Sequence, residues 1–157
     1  MQIIENLLMD EELERTIDRV AALKRSVDFW DRLFFRRVIK DYRKLRSRIN
    51  NLNILISRFN FEGQNQGYDS EGEIYTRIRE NKRGIFEQAR EICIEIRKGI
   101  IDNGMEKRYG ASFIDKVRRY EDDADYFHVY LEQEASGKNM PVSGMVRVER
   151  LRNERGY

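Results

Sequence analysis

Arg36, Arg37, Lys40, Arg43 and Lys44 follow one another at steps of one and three, the spacing that stacks side chains on one face of a helix. Between residues 31 and 48, eight positive charges stand against two negative ones. Such a stripe can lie along a phosphate backbone or against an acidic partner, and each phosphate it neutralised would add to the salt sensitivity of binding. The competing explanation is a solvated helix face, which is what most charge runs are. No aromatic residue is interleaved on that face, which argues against stacking on single-stranded bases.

A second cluster is acidic: Glu121, Asp122, Asp123 and Asp125, with His128 three residues beyond the last. A carboxylate and a histidine three apart share a helical face, as in the metal sites of helical bundles. Those sites use two such pairs with further glutamates, whereas His128 is the sole histidine here. Glu87, Glu91 and Glu95 are four apart and interrupted by Arg90, a pattern of surface ion pairs. The spacing therefore favours ion pairs over a metal site, with a magnesium site from the acids alone as the alternative; no cofactor is expected, and the acidic helix is free to face the basic stripe within the protein or across an oligomer.

Chemistry at a nucleophile has no foothold in the sequence. It contains no Gly-x-Ser-x-Gly, no phosphate-binding glycine loop, no dinucleotide fingerprint and no cysteine beside a histidine. Cys93 is the single cysteine and lies in an apolar helical run, where it reads as a small buried hydrophobe. A non-enzymatic protein is expected, with no small-molecule substrate.

The elements that must carry these residues are long helices. Apolar residues make up 40% of the 157 and charged residues 37%, with one proline and ten glycines. That balance suits amphipathic helices rather than a turn-rich β fold. Ile3, Leu7, Leu13, Ile17, Val20 and Leu23 mark a first helix over residues 3–25, with Asp10, Glu11, Glu12 and Glu14 on its acidic side. From Val27 to Phe59 the period continues through Val38, Tyr42, Leu45, Ile49, Leu52 and Ile56 in alternating steps of four and three. Read as one helix, this run would be roughly 50 Å long, and covering its seam would take neighbours along that whole length. Ser26 is placed to cap it, although the seam hardly registers a break.

Asn60 to Ser70, with two glycines and no periodicity, reads as a mobile loop, and Ser70 with Glu73 forms a capping box for a third helix. Ile74, Ile78, Ile85, Ala89, Ile92, Ile96 and Ile100 line its main face; Phe86, Cys93 and Ile101 widen the stripe enough for two neighbours. Asn81 and Lys82 stand where an apolar residue belongs. Gly104 should end the helix. Met105 to Gly110 connect to a fourth, Ser112 to Gln133, with Phe113, Val117, Tyr120, Ala124, Phe127 and Leu131 on its stripe. Beyond Pro141, Val146 and Val148 alternate with Arg147 and Glu149 as in a short strand.

The expected fold is all-α: an elongated antiparallel bundle of about four helices over residues 1–136, with a C-terminal extension at 137–157. An acidic N-terminus without a basic start, and no apolar run near the 20 or so residues a bilayer needs, predict a cytoplasmic protein without membrane contact. Of the 30 basic residues 22 are arginine, the residue favoured at interfaces. Protein partners or a homo-oligomer are accordingly expected, built on helical seams, with a DNA- or RNA-binding bundle acting through the basic stripe as the alternative.

One set of short motifs points further. Asn81-Lys82-Arg83, Ile96-Arg97, Gly104 closing the helix, and Met140-Pro141-Val142-Ser143-Gly144-Met145-Val146-Arg147-Val148 with Leu151 resemble the helical domain of GINS subunits, the replication-fork complex that joins the MCM helicase ring. In that family a proline shortly precedes a Val-Arg-Val strand opening a small β-domain. The resemblance spans residues 71–151. It implies a scaffold for DNA replication whose helices pack against sister subunits, with Arg77, Arg79, Lys82 and Arg83 at or near an interface.

Overall fold

In the computed structural model, residues 2–30, 35–62 and 68–136 are described, and the protein is all-α. Its helices are α1 (Gln2–Trp30), α2 (Arg36–Glu62), α3 (Tyr68–Asp102), the single turn α4 (Glu106–Tyr109) and α5 (Ala111–Ser136). The expected strand at Val146–Val148 and the whole extension 137–157 lie outside the described residues, as do the side chains of Ile3, Leu7, Phe59 and Ile74.

The first departure from expectation concerns the run from Val27 to Phe59, which is two helices rather than one. α1 continues past Ser26, whose hydroxyl donates back to the Ala22 carbonyl at 3.1 Å instead of capping a new helix. α1 ends at Trp30, and α2 opens with the Ile39 amide donating to the Phe35 carbonyl at 3.2 Å. Phe35 is buried to 1% exposure at this corner. Its ring stands edge-on to Tyr109 with centroids 6.2 Å apart and lies so close to Gly99 that an added Cβ would meet ring carbon at 2.6 Å. A glycine on α3 therefore makes room for the ring that pins the hairpin corner.

The second departure is which helix organises the rest. α3, not α2, is the centre: it packs extensively against α2 and α5, and α1 runs along it while touching both. Directions follow from side-chain pairs. Phe35 meets Gly99 and Arg48 meets Gly84, so α2 is antiparallel to α3. Arg97 meets Glu121 and Arg83 meets His128, so α5 is antiparallel too. Lys24 sits over Tyr42 at 5.2 Å, the signature of an α1–α2 hairpin.

The central position of α3 explains its wide stripe. Ile85, Phe86, Ala89, Ile92, Cys93, Ile96 and Ile100 are all fully buried, serving three neighbours instead of the two expected, although Ile101 stays 44% exposed. Each such aliphatic or aromatic side chain contributes roughly 1.5–3 kcal/mol by leaving water. The α2 seam is covered at Val38, Leu45 and Leu52 and half-covered at Tyr42 and Ile49. As far as Leu52 the neighbours expected along that seam come from the chain itself: α3 covers it, with α1 folded back alongside. Among the described residues, the large apolar side chains exposed on the distal part of α2 are Ile56, on the seam, and outward-facing Ile54.

Helix ends follow local chemistry. At the end of α3, Met105 N–H donates to the Ile100 carbonyl at 2.8 Å and Gly104 N–H to Ile101 at 3.2 Å, with Gly104 at φ +65°. That pairing is a Schellman motif, and it is why Gly104 stops the helix as expected. α3 begins at Tyr68, two residues before the anticipated cap, and Glu73 accepts an ion pair from Arg77 at 2.9 Å.

Candidate functional site

Charge is distributed in two very different ways over this bundle. Where helices meet, ion pairs tie α5 and α1 to α3 and to each other. Arg97 donates through Nε and Nη2 to both oxygens of Glu121, each at 3.1 Å, a bidentate fork. Arg90 reaches Asp125 at 3.0 Å and Glu91 at 3.1 Å. Arg19 of α1 reaches Asp123 at 3.3 Å while its guanidinium lies 4.6 Å from the centre of the Tyr120 ring. Lys82 pairs with Asp10, so the polar gap in the α3 stripe is an α1–α3 contact.

The acidic run of α5 thus faces α3 and α1. The expectation that it faces the basic stripe of α2 is corrected: α3 stands between those two helices and offers the nearer arginines. Glu12, assigned to the acidic solvent side of α1, is instead wholly buried, as Asp123 nearly is. His128 belongs to this internal network. Arg83 donates to its Nε2 at 3.0 Å, and Glu87 lies 3.7 Å away. Burial lowers the Arg83 pKa, but its hydrogen bond to Glu80 and the charges of Glu80, Glu87 and Glu132 outweigh this and raise it. Arg90 behaves alike, with Asp125 and Glu91 overcoming burial. Among the described residues no three acidic, histidine or cysteine side chains gather as a metal site.

Of the residues singled out through the GINS resemblance, Arg77 is exposed and paired with Glu73, Arg79 is half-buried, and Lys82 and Arg83 are turned to contacts within the chain. They do not form one outward cluster.

Outside, the arrangement is the reverse. Arg36, Arg37, Lys40, Arg43 and Lys44 are all exposed, and Arg46 and Arg48 extend them. None of the seven forms an ion pair with a described residue. From Arg36 to Arg58 the chain holds eight basic residues and one acidic residue, Asp41. The stripe expected from spacing ends at Lys44 and so misses Arg46 and Arg48. Both fall on exposed positions once the core side of α2 is fixed by Leu45 and Leu52, and that signal is present in the apolar period.

α2 is also an edge helix, packed against α3 and lightly against α1. Taking 3.6 residues per turn, the exposed arc from Arg46 round to Arg48 covers roughly 200° of its circumference. Such a helix can approach a large ligand without obstruction from the described helices. Among the described residues, no helix is long and apolar enough to cross a membrane. Comparisons with family models, with curated proteins and with solved structures find no match to the chain.

Proposed function

We propose that the protein binds nucleic acid by laying the outer face of α2 along the phosphate backbone. One observation carries this reading: Glu121, Asp123 and Asp125 of α5 are engaged by arginines of α1 and α3, while seven exposed basic residues of α2 have no ion-pair partner among the described residues. A formal net charge of +2 conceals that asymmetry. Phosphate neutralisation with counterion release is the interaction that such a face favours. The test is retention of the chain on heparin and on duplex DNA across a salt series, for wild type and for a triple variant Arg36→Ala/Arg37→Ala/Lys40→Ala. These side chains are exposed on a helix and alanine favours helix, so the fold should survive. Losing three phosphate contacts should flatten the salt slope by about 2–3 logarithmic units per decade. Equal retention of wild type and variant would dismiss the proposal.

A second reading is an assembly subunit working through protein interfaces, the GINS-like replication scaffold being its specific form. The observation in its favour is Ile56, a seam residue of α2 that remains 37% exposed where the seam runs on toward Phe59. Its specific form rests on the short sequence motifs alone.

A further inference from the structure

The outer face of α2 changes character midway. Arg36, Lys40 and Arg43 are followed on the same strip, roughly 80° wide at 3.6 residues per turn, by Ser47, Asn51 and Ile54. Asn50 stands at its margin, and Asn53 lies further round the helix on the same side as Asn50. All five residues of this distal group are exposed, and Ile54 is 59% exposed, the highest value among the large apolar side chains left in solvent. Opposite them, Leu45 and Leu52 are buried against the core, so the strip points squarely away from the bundle.

The asparagines lack the explanation that suffices elsewhere. Asn81 and Asn103 donate their amides to the carbonyls of Arg77 and Gly99, four residues earlier, at 3.0 and 2.8 Å. Asn50, Asn51 and Asn53 make no side-chain bond to any described residue. Asparagine is a poor helix former, yet three occur within four positions inside a 27-residue helix, around an apolar residue. A face meant only to be solvated would be better served by lysine or glutamate.

We propose, building on the phosphate-binding reading above, that this distal half of α2 reads A·T base pairs in the major groove of duplex DNA. An asparagine amide donates and accepts at once, matching N6 and N7 of adenine, and an apolar side chain matches the thymine methyl group. The basic half holds the phosphates and sets the register, since backbone contacts position while base edges specify. The dimensions agree: a helix about 10–12 Å across enters a groove about 12 Å wide, and the roughly 200° of free circumference leaves room for both walls. The deep, narrow major groove of duplex RNA would not admit it.

The experiment selects bound sequences from a duplex DNA pool with a randomised centre, using the full chain. It is repeated with Asn50→Ala/Asn51→Ala and with Ile54→Ala, each checked for unchanged helicity. Wild type should enrich an A·T-containing motif and prefer it roughly ten-fold or more over random duplex. The variants should bind random duplex as wild type does, with the same salt slope, and lose the preference. If wild type binds duplex but enriches nothing, or the variants enrich the same motif, base reading is refuted while phosphate binding stands. Tighter binding to duplex RNA of random sequence also refutes it. If wild type binds no duplex at all, the phosphate-binding reading fails and this inference falls with it.

Discussion

Cys93 shows how far one position can be understood from its surroundings. It sits fully buried on α3, and burial first, then the charge of Glu121, pushes its thiol from 9.0 up to about 12 against the opposing pull of Arg19. A thiolate is therefore disfavoured in the folded chain relative to the unfolded one. The stability this contributes is complete below pH 9 and is lost as pH rises through the folded value. Stability measured by urea unfolding should fall more steeply between pH 9 and 12 in wild type than in Cys93→Ala. Native protein at about pH 9 should also resist iodoacetamide, reacting only as fast as it unfolds. Rapid alkylation of folded protein would contradict the burial. The role of this cysteine was legible in the sequence, because its neighbours Ile92, Ile96 and Ala89 share its stripe. The burial of Glu12 was not, since nothing in a run of acids tells which one turns inward.

At the scale of elements, two glycines of α3 make a controlled pair. Gly99 faces the Phe35 ring, and an added methyl would meet ring carbons at 2.6 and 3.0 Å. That ring is walled in at the hairpin corner and cannot give way, so Gly99→Ala should destabilise by about 1–3 kcal/mol through overpacking. Gly84 faces the far end of Arg48, whose Nη1 occupies the space an added methyl would take but belongs to an exposed, flexible side chain. Arg48 can swing away, and Gly84→Ala should be neutral or stabilising by up to about 1 kcal/mol from helix propensity. Thermal unfolding of both variants checks the contrast, and an equal loss in each would remove Phe35 as the lock of the α1–α2 corner. That corner was not legible in the sequence. Trp30, Phe34 and Val38 keep the helical period straight through it, and no glycine or proline marks the turn. The residue that permits it, Gly99, lies on a different helix. The end of α3 was legible for the opposite reason: Gly104 carries its own signal locally.

For the molecule as a whole, the question is whether it needs a second copy. α3, with α1 alongside, covers the α2 seam from Val38 to Leu52, leaving only Tyr42 and Ile49 half-buried there. The large apolar side chains left exposed among the described residues are Ile54, Ile56, Ile101 and Val129, spread over three helices. A stable interface needs about 800 Å² from each partner with a packed apolar centre, which scattered single side chains do not provide. The chain alone should therefore run as a single copy in light scattering at micromolar concentration, and duplex DNA should be what raises its mass. A stable oligomer without nucleic acid would reverse the order of the two functional readings. Should Ile56→Asp then return it to single copies while leaving its helicity intact, the exposed end of the α2 seam would be the contact. The basic face would then be a bystander, which the Arg36→Ala/Arg37→Ala/Lys40→Ala variant would reveal by assembling as wild type does.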